Sequence, residues 1–238
     1  MTRAAPAPHI ELLSEDALLL RFGESIESSI NARVHAAATR LREQLAGVEC
    51  VPAYASLLLR FDPAQWDDSD PVAPAQRVSE RVMAALQELP DSGDGDREVD
   101  IPVWYGGDAG PDLAAVAAHA GFACDEVIAR HSAATYRVAM LGFAPGFPYL
   151  LGLDPTLAMP RRSDPRISVP AGSVAIGGEQ TGIYPQALPG GWQLIGRTPR
   201  RLFDLHAATP SLLQPGDRVR FRAIDEDEFQ RLAAEARR

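Results

Sequence analysis

Lysine is absent from this chain: all 23 basic residues are arginine. That removes several chemistries together. No Schiff base can form on a lysine, no lysine can act as a general base, and a Walker A phosphate loop has no source for its lysine. Cysteine is scarce. Cys50 and Cys124 are too few and too far apart for a disulfide framework or a zinc site. No apolar run approaches the roughly 18 residues that span a membrane. The first residues, Met1 to Pro6, lack the continuous apolar segment of a signal peptide ahead of Glu11. A cytoplasmic protein is therefore expected, with no membrane partner. A cationic excess is missing too: the net charge of −9 disfavours nucleic acid, whose phosphates need a positive face. No Gly-x-Ser-x-Gly elbow is present, and Ser173 in Ala171-Gly172-Ser173-Val174 lacks that context. No His-Glu-x-x-His or paired-carboxylate pattern points to a metal. The chain does not carry a self-sufficient catalytic set.

What is present is enough for a packed protein. The chain has 238 residues, 46% hydrophobic and 23% charged, which fits one large domain or two small ones and argues against disorder. Glycine and proline are concentrated in one stretch. Gly142–Pro199 holds 10 of the 19 glycines and 9 of the 20 prolines. Glycine permits positive φ and close backbone approach, and proline fixes φ. Together they describe stiff, shaped loops between short strands, where binding groups usually sit.

The order of elements is readable. Residues 9–22 predict two short strands around Ser14-Glu15-Asp16. Apolar residues from Ile26 to Leu45 then recur at helical spacing, with Gly47 just beyond. Residues 48–62 predict a strand, and a second helix is expected to run to about Leu89. This β-β-α-β-α order needs one more strand to make a small α/β sandwich. The Pro/Gly/Asp segment at 90–96 is the expected linker. Strands are expected at 97–105, 136–143, 167–169, 173–176, 192–197, 202–205 and 218–223. Two helices fall between the first pair, and an amphipathic helix closes the chain. The second half thus reads as a compact β-barrel or sandwich. The fold class is α+β, with domains at 1–92 and 93–238.

Individual motifs are weak taken singly. Gly177-Gly178-Glu179-Gln180-Thr181-Gly182 lacks dinucleotide spacing and opens no helix; it reads as a tight hairpin. Arg161, Arg162, Arg166 and Arg197 give this stretch a local surplus of positive charge, against Asp154, Asp164 and Glu179. Guanidinium forks match carboxylate or phosphate, although some can simply pair with those acids. His131 is a candidate proton carrier or a satisfied, half-buried residue. Tyr184 could donate to an oxyanion or serve as packing with a polar tip. Phe143, Phe147 and Tyr149 could line a groove or pack beneath the loop.

The runs GFAPGFPYLLGLDP and PRRSDPRISVPAGSVAIGGEQTGIYPQALPGGWQLIGRTP resemble the family of bacterial 5-oxoprolinase B subunits. That family is also labelled allophanate hydrolase subunit 1, and it includes the sporulation-kinase inhibitor KipI. The resemblance is dense from about residue 98 to 222. It implies an N-terminal α/β sandwich followed by a cyclophilin-like β-barrel. It further implies work with the 5-oxoprolinase C subunit, in direct contact, and with the A subunit, to cleave 5-oxo-L-proline to glutamate with ATP as co-substrate. No metal or organic cofactor is implied for this chain, and ATP could lie mainly with a partner. The residues expected to act are His131, Arg166, Gln180, Tyr184 and Arg197. Arg162, Gly177, Gly178, Gly182 and Phe147 are expected to contact substrate. A KipI-like inhibitor that docks on a histidine kinase is the alternative.

Overall fold

A computed structural model of the chain describes residues 6–67, 72–87 and 97–236. The chain divides into two compact units, Met1–Asp94 and Gly95–Arg238. The expected linker at 90–96 and the helix end at Leu89 lie outside the described residues.

In the first unit, β1 (His9–Ser14) and β2 (Ala17–Arg21) form the expected hairpin. Then come α1 (Ser28–Gln44), β3 (Val48–Pro52), β4 (Ser56–Phe61) and α2 (Pro74–Ala85). Residues 48–62, expected as one strand, are two. The chain reverses between them, with Pro52 opposite Leu57 and the Ala53 N–H bonded to the Ser56 carbonyl at 2.8 Å. No glycine or asparagine marks this turn, so the sequence hides it. The split supplies the missing strand and gives an antiparallel sheet in the order β1-β2-β4-β3. Val34, Ala37, Ala38 and Leu41 recur at helical spacing on α1 and share one core with Val78 and Val82 of α2 and with Leu20, Leu57 and Leu59 of the sheet. Each large side chain so buried contributes roughly 1.5–3 kcal/mol of transfer free energy.

The second unit begins with β5 (Glu98–Tyr105), α3 (Leu113–Ala120), α4 (Cys124–Ala133), β6 (Thr135–Leu141) and β7 (Pro148–Leu151). It continues with β8 (Arg166–Val169), β9 (Ser173–Gly177), β10 (Gln180–Ile183) and β11 (Leu188–Gly190). It ends with β12 (Gln193–Arg197), β13 (Arg218–Ile224) and α5 (Glu226–Glu235). Seven strands close a barrel in the order β10-β7-β6-β13-β5-β12-β9, and β8 and β11 form a separate ribbon. Residues 202–205 are not a strand; Phe203 makes only an isolated bridge to Ser211.

Side-chain alternation gives the barrel wall two faces. Val174 and Ile176 of β9, Ile183 of β10 and Ile195 of β12 belong to the main core with Ile101, Val138 and Leu150. Ala175 and Leu194, at the intervening positions, belong to a second cluster with Phe147, Val169, Tyr184 and Trp192. That outer cluster positions the site.

Candidate functional site

The outer face of β9 and β10 is made of glycine where rings press against it. A β-carbon on Gly177 would stand 2.5 Å from the Trp192 indole. One on Gly182 would stand 2.9 Å from the Pro148 carbonyl oxygen, 3.1 Å from Trp192 and 3.2 Å from Phe147. Close approach is thus the reason for glycine at both positions. Phe147 meets Tyr184 and Trp192 edge-on, with ring centroids 5.2 and 5.7 Å apart, an arrangement favoured by the ring quadrupoles. Phe143 stands against Phe147 at 5.4 Å. It is 61% exposed and has φ of +68, a conformation that costs a bulky residue energy. These rings, with Arg161, Arg162 and the Pro189–Gly191 segment, line an open cavity of about 320 Å³.

The hairpin turn positions the arginines. Gly178 exchanges two backbone hydrogen bonds with Met159, at 2.8 and 3.1 Å, and the Arg162 N–H donates to the Gly191 carbonyl at 2.7 Å. Gln193 Nε2 donates to the Pro160 carbonyl at 3.0 Å. So held, Arg161 lies 5.6 Å above the Trp192 ring, within cation–π range, and has no carboxylate partner among the described residues. Arg162 is partly committed: its Nε donates to the Asp164 carbonyl at 3.2 Å, and Nη1 lies 3.5 Å from Asp112. Arg166 is clamped, its Nη2 donating to Asp112 Oδ1 at 2.8 Å. Its Nη1 is buried without a partner among the described residues.

Asp112 is the anchor that the sequence does not reveal. It is 7% exposed. Its Oδ2 accepts the Leu194 N–H at 2.7 Å, and its own N–H donates to the Leu194 carbonyl at 2.9 Å. An aspartate after proline at a helix start reads as an N-cap, yet here the side chain makes no cap bond. Trp192 is also missed. Its only signal is the Gly190-Gly191 pair before it, opposite the Gly177-Gly178 turn.

Tyr184 is buried, which raises its phenol pKa. A hydrogen bond with the Trp192 backbone and the charges of Arg161 and Arg166 oppose the shift without cancelling it. The phenol therefore stays protonated at neutral pH.

The structure brings Arg162, Phe147 and Tyr184 together on the cavity. Gly177 and Gly182, expected to contact substrate, lie behind the Trp192 and Phe147 rings. Gly178 is bonded to Met159 and Arg166 to Asp112, and none of these four lines the cavity. The structure does not bring the rest there. Gln180 is half-buried at the hairpin, opposite Gly177, and does not line the cavity. Arg197 lines a different cavity, with its Nε donating to the Ala171 carbonyl at 2.8 Å. His131 is 0% exposed, so it is a barrel-core residue and not a surface proton carrier. Thr181 Oγ1 donates to the Ala175 carbonyl at 3.0 Å, so it accepts from His131 Nε2 at 3.0 Å. Tyr105 O–H then donates to Nδ1 at 2.8 Å. Burial lowers the imidazole pKa to about 3, which fixes it neutral. Among the described residues, no three His, Cys, Asp or Glu side chains gather as a metal set, and no helix is long and apolar enough to cross a membrane.

Comparison with known proteins gives this geometry a context. Residues 8–213 match the family described as carboxyltransferase domain, subdomain C and D. The chain is 45% identical over 226 residues to the 5-oxoprolinase B subunit of Bacillus subtilis (strain 168), covering 92% of this chain and 94% of that one. It is 43% identical over 210 residues to the 5-oxoprolinase B subunit of Escherichia coli O157:H7, covering 88% and 93%. Among solved structures it is similar to TTHA0988, with a TM-score of 0.74 and 41% identity over 88% of this chain. It spans only 40% of that longer chain. The chain belongs to the family of 5-oxoprolinase B subunits.

Proposed function

We propose that this chain is the B subunit of an ATP-dependent 5-oxoprolinase and that the aromatic–arginine cavity is its wall of the substrate site. 5-Oxo-L-proline is a five-membered lactam with one carboxylate, an apolar ring edge and an amide carbonyl. The observation that carries this reading is the pairing of an uncommitted guanidinium, Arg161, with a protonated phenol, Tyr184, across one ring-lined cavity. Arg161 takes the carboxylate as a charge-assisted fork. Phe147 and Trp192 cover the ring methylenes. Tyr184 donates to the lactam oxygen and fixes the orientation of the carbonyl. Arg166, fixed by Asp112, adds a positive field beneath.

An unactivated lactam is a poor electrophile, which explains the demand for ATP. Transfer of the γ-phosphoryl group of ATP to the lactam oxygen leaves ADP and makes the carbonyl carbon electrophilic. Water adds to that carbon, the C–N bond breaks as the ring nitrogen takes up a proton, and hydrolysis of the resulting acyl phosphate gives glutamate and phosphate. This chain holds and polarises the lactam. The C subunit, in direct contact, and the A subunit, with it, complete the site in the cytoplasm. The longer architecture of TTHA0988, in which this module occupies 40% of the chain, supports a module that works joined to others.

The test is ATP-dependent glutamate release by the chain reconstituted with the A and C subunits of the enzyme. Arg161→Gln is expected to raise KM for 5-oxoproline at least about tenfold. Tyr184→Phe is expected to lower kcat at least about tenfold. Wild-type kinetics in both variants, with the complex intact, would remove the assignment.

A further inference from the structure

A second, wider cavity of about 550 Å³ in the same unit is cationic. Its lining includes Arg197, Arg200 and Arg201, and α5 contributes Phe229, Gln230 and Ala233. No residue lining it is acidic, in a chain of net charge −9. Two of the four acids of α5 are paired with other arginines: Glu228 with Arg222 at 2.9 Å and Glu235 with Arg231 at 3.0 Å. Arg201 is matched by Asp204 at 2.9 Å. Arg197 and Arg200 have no carboxylate partner among the described residues. Two uncompensated guanidiniums therefore face one concavity.

Their backbone is built in. Gly172 has φ of +82, and a β-carbon there would collide with the Thr198 carbonyl oxygen. The Thr198 N–H donates to the Gly172 carbonyl at 2.9 Å. Thr198 is 3% exposed, and its Oγ1 accepts the Arg200 N–H at 3.2 Å. With Arg197 Nε on the Ala171 carbonyl, its two terminal nitrogens are left for a ligand. Guanidinium forks present parallel N–H donors that match the oxygens of a tetrahedral oxyanion. Two cations match a dianion better than a monocarboxylate.

We infer that this cavity binds a phosphate group, at a site separate from the aromatic cavity. The phosphate could be carried by a nucleotide or be inorganic phosphate itself; the chemistry is shared. The inference stands whether or not the aromatic cavity takes 5-oxoproline.

The test is calorimetric titration of the full-length chain with ATP, pyrophosphate, inorganic phosphate and, separately, 5-oxoproline. At least one phosphate probe is expected to bind at millimolar concentration or below. Arg200→Gln is expected to weaken it at least about tenfold, and Arg161→Gln to leave it unchanged. Binding of ATP alone identifies a nucleotide, and equal competition by pyrophosphate or phosphate identifies the bare anion. Arg200 is exposed, so its variant tests the site even where Arg197→Gln unfolds the turn. The inference is overturned if no phosphate probe binds. Binding that is indifferent to Arg200→Gln, or that is lost in Arg161→Gln instead, overturns it equally.

Discussion

Gly190 and Tyr184 touch so closely that a β-carbon on Gly190 would overlap the phenol oxygen. Its neighbour Gly191 has room, with the nearest atoms 3.6 Å from a built β-carbon. The two positions should therefore respond differently to the same change. Gly190→Ala is expected to cost about 1–3 kcal/mol by overpacking and to displace the phenol. Gly191→Ala should stay within about 0.5 kcal/mol. Urea unfolding of both variants checks this, and equal midpoints would contradict the assigned packing.

Asp112 joins Arg166 to the β12 backbone. Asp112→Ala removes the acceptor for both the Arg166 guanidinium and the Leu194 N–H. A loss of roughly 2–3 kcal/mol is expected, because bonds to charged groups are lost and partly buried donors are left unmade. Arg166→Gln, which keeps Asp112 bonded to Leu194, should cost less. The order of the two unfolding free energies is the measurement.

His131 gives stability a pH dependence. The folded imidazole is neutral down to about pH 3, whereas an unfolded histidine titrates near 6.5. Between these values the unfolded chain binds a proton that the folded chain excludes. This contribution is complete above about pH 6.5 and is lost as pH falls toward 3, at up to about 1.4 kcal/mol per pH unit. His131→Gln should flatten the stability curve between about pH 6 and 4 by close to one proton. An unchanged slope would place the acid sensitivity elsewhere.

Asp225 caps α5, its Oδ1 accepting the Glu228 N–H at 2.8 Å. Asp225→Ala should cost about 1 kcal/mol. If α5 forms a wall of the phosphate site, the same variant should weaken phosphate binding more than it weakens 5-oxoproline binding. Parallel titrations with the two ligands separate these effects.

Legibility in the sequence followed the physics of each signal. The α1 and α2 stripes and the Gly177–Gly182 hairpin are visible because helical spacing and glycine pairs are local. The β3–β4 turn is hidden because Ala53, Tyr54 and Ala55 carry no turn signature. The four-residue strands β7 and β10 are too short to show a period. The enrichment of Gly142–Pro199 in glycine and proline marks the neighbourhood of the site, yet one stretch contains residues that fold into two separate cavities. Only tertiary structure sends Arg161 and Arg197 to different ones. Asp112 lies far upstream of the stretch it supports, and no local pattern distinguishes an aspartate that caps its own helix from one that holds a distant strand.

The barrel is sewn shut by its most distant strands. Leading strand β5 lies between β12 and β13, with Tyr105 opposite Gly196 and Glu98 opposite Arg218. The first unit pairs near neighbours, β1 with β2 and β3 with β4, so its sheet can assemble while the chain is still emerging from the ribosome. Strand β5 has no barrel neighbour until almost the whole chain has been made, and long-range pairing of this kind is slow. Through that interval its edges and apolar face need protection from other chains. A ribosome stalled before Arg218 would release a product with a finished first unit and an open, adhesive second one.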